Sequence, residues 1–327
     1  MEKELKANDL FVREEAKKTD LKKEMEIANK VEKAPSIPSE YITVKLSSGG
    51  KLGFPAVVHA RDYTFDEAIK MAEISEENVT DSLVEIVNNI IFEDVDVRNA
   101  HRQDILEILL SVYGTWYSPT IESFRYYVDP DLPEEERDKK ENISVATIPI
   151  NAIKTIPLAD NIKTPIRIAK GDFTIDLILP RVGNEIIASK FLEEKYAEEE
   201  NKISDIIKKA RAETATTEEQ EIYDDLQKRK GRDFLRIAQS LLIESYNGKK
   251  LETVGEKLEA VNKVPLNVWA IFNNELKNNF SFGIDSEVEF VCSVTHKPIK
   301  RRFHFREINF LPSMVQEDHS GFSVSFG

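Results

Sequence analysis

Apolar positions along the chain repeat in two rhythms, and the changes between them mark its elements. In YITVKLSSGGKLGFPAVVHA, residues 41–60, apolar and polar residues alternate on both sides of an SSGG segment. This predicts a strand, a glycine turn, and a second extended run interrupted at Pro55. Thr64 stands three residues before Glu67, the spacing at which a hydroxyl and a carboxylate cap each other's backbone, so a helix is expected from Phe65. Val79, Leu83, Ile86, Val87, Ile90 and Ile91 then recur at intervals of three and four, and Ile105, Leu106, Ile108, Leu109 and Val112 repeat the rhythm after the acidic break EDVDV. Two more helices are expected here, and the chain reads as helical to about Ser118.

Residues 129–142, DPDLPEEERDKKEN, cluster charge around two prolines without a packing face and read as a solvated loop. Phe173, Ile175, Leu177 and Leu179 alternate strictly, as a strand does. From Asn184 to about Thr214 the residues are mostly charged, with apolar positions at helical spacing. A second helix is expected over 218–246, ending at Asn247 and Gly248, where left-handed backbone is easily reached. These two make a charged helical hairpin. VPLNVWAIFNNELKNN predicts a further helix with Pro265 in its first turn, and EVEFVCS and RRFHFREINF are strand-like. The first 34 residues are charge-dense with a sparse apolar stripe, and APSIPSE after them reads as a linker.

The expected fold class is therefore α+β and helix-rich. It has β-hairpins near the start and end of the folded region, a charged helical pair and an extended N-terminal arm. It divides into an arm and linker (1–40), a strand-turn and helical region (41–128), a Pro-rich loop with strands (129–183), the charged helical hairpin (184–248) and a C-terminal helix with a knuckle-like hairpin (249–327). Charge narrows the partners: 45 Lys and Arg against 59 Asp and Glu leave a formal net charge of −14 over 327 residues, which repels polyanions. Nucleic acid is not expected as a partner. No apolar run reaches the roughly 20 residues of a membrane helix, and the N-terminus lacks the apolar core of a signal peptide, so a soluble protein made in the cytoplasm is expected.

The stretch FVCSVTHKPIKRRFHF concentrates the chemistry. Cys292, the single cysteine, stands four residues before His296, a zinc-knuckle spacing, with His304 further on. The second half of a tetrahedral site is missing, because His304 would need His319 or an acid to complete it. The favoured reading is a structural turn with a buried cysteine that behaves as a small hydrophobe. No cofactor is then expected, zinc remaining the alternative, with Cys292, His296 and His304 as its ligands. A cysteine nucleophile activated by either histidine ranks lower, because no helix N-terminus or oxyanion donor accompanies it. The acids Glu93, Asp94 and Asp96 read as a solvated helix boundary, and His59 and His101 as structural or surface groups. Lys297, Lys300, Arg301, Arg302 and Arg306, interleaved with Phe303 and Phe305, suggest a docking face for an acidic protein surface. Arg181 and Trp269 complete the partner-binding candidates.

Four stretches, taken in order, carry a resemblance: YITVKLSSGGKLGFPAVVHARDYTFDEAIKMA, FTIDLILPRVGNE, VPLNVWAIFNNELKNNFSFG and FVCSVTHKPIKRRFHFREINFLPS. Together, over roughly residues 41–313, the chain resembles the baseplate hub protein family of T-even-type contractile-tailed bacteriophages. The resemblance implies a non-enzymatic structural protein of the tail baseplate hub, contacting other hub, tail-tube or tape-measure proteins or a second copy of itself. A hub assembly factor absent from the mature virion is the alternative. Relatives carry a Cys-x-x-Cys knuckle, an apolar strand and an aromatic-Pro ending. Cys292 matches the first cysteine and Phe310-Leu311-Pro312 the ending, whereas His296 stands near the second cysteine at altered spacing. That departure weakens zinc and leaves the hairpin as the retained element.

Overall fold

The computed structural model describes residues 37–74, 78–129, 131–170, 173–306 and 310, so the expected N-terminal arm, Leu311, Pro312 and His319 lie outside the described residues. Strands β1 (Ile42–Lys45) and β2 (Val57–Ala60) pair antiparallel with Ile42 opposite Ala60. In the turn between them Gly49 and Gly50 have φ of 61° and 76°. A Cβ on Gly50 would come within 3.3 Å of the Ala56 amide nitrogen, so conformation and space both call for glycine. The expected capping box opens α1 (Phe65–Ala72): Glu67 N donates to Thr64 Oγ1 at 3.4 Å, and Thr64 N donates to Glu67 Oε2 at 2.6 Å.

The two long apolar series become α2 (Val79–Ile90) and α3 (Arg102–Trp116). Behind them β3 (Thr120–Tyr127) pairs antiparallel with β4 (Ile143–Pro149). The charged loop joining that pair holds two short helical turns, α4 (Glu134–Arg137) and a 3-10 turn at Lys140–Asn142. Ile86, Val87, Ile90, Ile108, Leu109, Val112, Ile121 and Ile148 meet in the main core, together with Val58 and the C-terminal hairpin. Each such side chain contributes about 1.5–3 kcal/mol by leaving water.

After the short β5 (Thr155–Ile156) comes a four-stranded sheet, β6 (Ile166–Lys170), β7 (Phe173–Leu177), β8 (Ile243–Tyr246) and β9 (Lys249–Lys250), antiparallel throughout and in sequence order. Neighbours β7 and β8 are separated in sequence by three helices: α5 (Val182–Lys202), α6 (Ser204–Arg211) and α7 (Thr217–Leu241). The charged helical hairpin is thus an excursion out of a sheet. At 1.5 Å per residue α5 and α7 run about 31 and 37 Å. The root of α5 is tied down where Val182 N donates to Ala100 O at 3.1 Å, and a Cβ on Gly183 would lie 2.8 Å from the Arg98 carbonyl oxygen. The arm carries its own small core, with Leu192, Tyr196, Leu226, Ile237 and Leu241 buried. Its ion pairs Glu199–Arg229, Glu200–Lys230 and Lys209–Glu219 are partly or largely solvated, so water screens them and packing does most of the holding.

The helix expected over 218–246 is corrected at its end. It stops at Leu241, and 243–246 is strand β8, because Ile243 and Ser245 alternate inward against β7. Asn247 and Gly248, at φ of 49° and 79°, form the two-residue turn to β9 in place of a helix terminus; left-handed backbone at both positions suits a tight hairpin. The chain continues through α8 (Val254–Val261) and α9 (Leu266–Asn279), which cover the sheet through Val261, Val268, Trp269 and Phe272. Then β10 (Gly283–Ile284) returns to β5, and β11 (Glu287–Val291) pairs with β12 (Pro298–Arg302). The fold is α+β, as the patterning predicts.

The arm's small core, on which Val254 and Leu258 of α8 also pack, makes a local prediction. Leu226→Ala removes a fully buried side chain at a cost of about 2–5 kcal/mol. Hydrogen exchange is expected to quicken in α6 and in the facing halves of α5 and α7, while the amides of α3 keep their protection. Equal acceleration in α3 would show that arm and body unfold as one unit.

Candidate functional site

The C-terminal hairpin answers the question its sequence poses. Alternation along β11 turns Val288, Phe290 and Cys292 into the core and Glu287, Glu289 and Val291 outward. The turn closes with Cys292 N donating to Lys297 O at 2.9 Å and His296 N to Cys292 O at 2.8 Å, and His296 takes φ of 54°. Cys292 is fully buried, and its Sγ accepts from Tyr126 Oη at 3.1 Å and from Thr295 N at 3.4 Å. Burial opposes the thiolate, but hydrogen bonds from Thr295, Tyr126 and the Val294 amide outweigh it and bring the thiol down to about 7. These donors satisfy the sulfur inside the protein.

The metal candidates do not converge. His304 is exposed and alternates with the core-facing Phe303, placing it on the face opposite Cys292, and His296 is exposed at the turn. Among the described residues no group of three or more His, Cys, Asp or Glu comes together to hold a metal ion.

The partner-binding candidates separate in the same way. Phe303 is buried against Phe124 and Phe290, at centroid distances of 5.1 and 5.5 Å, and Phe305 packs against Phe124 at 5.2 Å. Trp269 is buried beside Phe272. As surface contacts Phe303 and Trp269 are corrected, because side chains spent on the core have no face left for a partner, and Phe305 is half-buried by the same packing. Lys300 and Arg302 do face solvent, but across the strand they meet Glu289 and Glu287, and Lys300 Nζ lies 2.9 Å from Glu287 Oε2. The expected basic face is therefore a mixed-charge ladder. Arg301 turns to the partly covered face and donates to Lys300 O at 3.0 Å. Arg181 caps the root of α5 and donates to Asn99 Oδ1 at 3.2 Å, joining arm to body.

Sequence reading missed a buried polar cluster at the start of α3. His101, Asp104 and Glu107 are each at most 5 % exposed, where an exposed helix face would ordinarily hold such residues. Their spacing of three was the available signal, since it puts all three on one face. Glu107 accepts from Ser47 N at 2.7 Å and from the Ser47 hydroxyl, fixing the SSGG turn on the helix. Asp104 accepts from His101 N at 3.2 Å, while its Oδ1 and Ser48 Oγ complete no well-formed hydrogen bond. Burial lowers the His101 imidazole to about 4, against a bond to the Pro180 backbone, and the Arg181 charge adds to the lowering. Burial pushes Asp104 up to about 6, against the nearby Ser48 hydroxyl and the hydrogen bond from the His101 amide, and holds Glu107 above its ordinary range.

No family model, no curated protein and no solved structure matches the chain.

The cluster predicts opposed pH dependences. His101, lowered from 6.5, stabilises the fold above that value, and the contribution is lost as pH falls towards about 4. Asp104, raised from 3.8, stabilises below that value and loses its contribution as pH rises towards about 6. Each swing is worth roughly 3 kcal/mol, so in the intact chain they largely cancel. Relative to that chain, Asp104→Asn is expected to be stabilised at pH 7 and to lose this gain on acidification, whereas His101→Gln becomes relatively more stable as pH falls. Urea unfolding between pH 4 and 7 measures both, and parallel slopes in the two variants would refute the opposed titration.

Proposed function

We propose that the chain is a non-enzymatic interaction protein, a structural component of a bacteriophage tail baseplate hub that contacts other hub, tail-tube or tape-measure proteins. The observation that carries the scaffold reading is the helical excursion between β7 and β8. Two helices of about 31 and 37 Å with their own core present a long charged surface while their ends stay locked in a sheet. Such an element offers a partner much area without disturbing the body that anchors it.

The setting in a baseplate hub is supported by the resemblance, whose four stretches fall on body elements: β1 to α1, β7 to the root of α5, α9, and the β11–β12 hairpin. A cysteine hydrolase is disfavoured by burial. The thiol is fully enclosed and its nearest polar neighbours are donors to sulfur, leaving no approach for a substrate carbonyl.

Peptide mass spectrometry on purified particles of the phage that encodes the chain, quantified against the tail-tube protein, tests the placement. A few copies per particle are expected. Absence from particles together with presence in infected-cell lysate would make it an assembly factor. Cys292→Ser is expected to leave particle assembly intact, and loss of assembly by a folded Cys292→Ser protein would contradict a purely structural cysteine.

A further inference from the structure

Helix α1 turns part of its apolar surface away from its own core. At 100° per residue Phe65, Ile69 and Ala72 share one face, and all three are exposed, Phe65 by 79 % and Ile69 by 46 %. The side turned inward holds Met71, fully buried, and Glu67, 5 % exposed. A charge on the inward face helps to hold this orientation, beside Met71. Arg61 donates to Glu67 Oε1 and Oε2 at 2.7 and 2.9 Å and also to Asn89 O at 3.0 Å, so the buried carboxylate ties α1 to the last turn of α2 and holds the apolar stripe in solvent. An exposed Phe with Ile one turn on, held outward by a bidentate ion pair, forms a standing docking face.

The flank of the stripe says what covers it. Asp66 and Glu73 are exposed on the side next to Ile69, and the adjacent Lys70 is engaged by Glu85. The available charge beside the apolar residues is therefore negative, on a chain whose net charge is −14. A second copy would bring the same negative charge to the contact, and nucleic acid or an anionic lipid surface would be repelled. We propose that the Phe65–Ile69–Ala72 face of α1 docks a basic amphipathic segment of another protein, its apolar side chains on the stripe and its Lys or Arg against Asp66 and Glu73. This deepens the reading of the chain as an interaction protein and does not depend on its place in a hub.

The test replaces Phe65 with the photo-crosslinking residue p-benzoylphenylalanine in the full-length chain, irradiates the cells that make it, and maps the linked peptide by mass spectrometry. Phe65 is solvated, so the replacement leaves packing alone, and the same residue at exposed position 163, outside the helical arm, is the control. The expected product joins position 65 to a Lys- or Arg-rich segment of a different protein. Its yield should fall roughly fivefold or more on Ile69→Asp and on the double change Asp66→Lys, Glu73→Lys. Crosslinking to a second copy, to a segment of net negative charge, or at no higher yield than from position 163 would overturn the proposal. Particle composition is read independently, so failure here leaves the hub assignment standing, and the reverse holds.

Discussion

Leu177 and Ile243 sit opposite each other on adjacent strands, and the Ile178 amide donates to the Leu242 carbonyl at 2.8 Å. Everything between them must leave the sheet and return to the same place. That single closure makes α5 and α7 run in opposite senses, brings Leu192 and Tyr196 against Leu226 and Ile237, and lines up Glu199 with Arg229 and Glu200 with Lys230. It also completes the sheet, because β8 is the second neighbour of β7 and the bridge to β9. The chain entropy of so long a loop grows only slowly with its length, so an arm of this size is thermodynamically cheap once its ends are paired.

Buried polar groups fix orientation elsewhere. Glu107 holds the Ser47 end of the glycine turn on α3, Glu67 with Arg61 sets the roll of α1, and Asp176 holds Arg167 while accepting from Ser245 at 2.5 Å across β7 and β8. Burying such groups costs desolvation that hydrogen bonds offset only in part, so their contribution is to select one arrangement over others of similar packing. At α1 the selected arrangement leaves Phe65 and Ile69 in water. The ion pair at Glu67 and the buried Met71 together hold that roll.

The C-terminal hairpin shows a side chain's surroundings deciding its role. Cys292 ends the inward-facing row of β11 and meets Tyr126 from β3, so its sulfur closes an aromatic layer built from Phe124, Tyr126, Phe290 and Phe303. The two histidines that invite a metal reading fall outside that layer, one at the turn and one on the solvent face.

What the sequence by itself determined is the local grammar. The Thr64–Glu67 cap, the glycine turn, the apolar series of α2 and α3 and the alternation of β7 all form as read, because each depends on neighbours within a few residues. Sequence also placed Cys292 in a hairpin turn, since alternation and turn residues suffice for that. Tertiary structure alone decided that Asn247 and Gly248 turn between strands, that Phe303 and Trp269 are buried, and that His101, Asp104 and Glu107 face inward. In each of these the deciding partner is remote: Thr174 O for the Asn247 amide, Phe124 for Phe303, Ser47 for Glu107. Periodicity marks a face of a helix or strand, but which layer that face meets depends on chain returning from far away, and only the folded molecule supplies it.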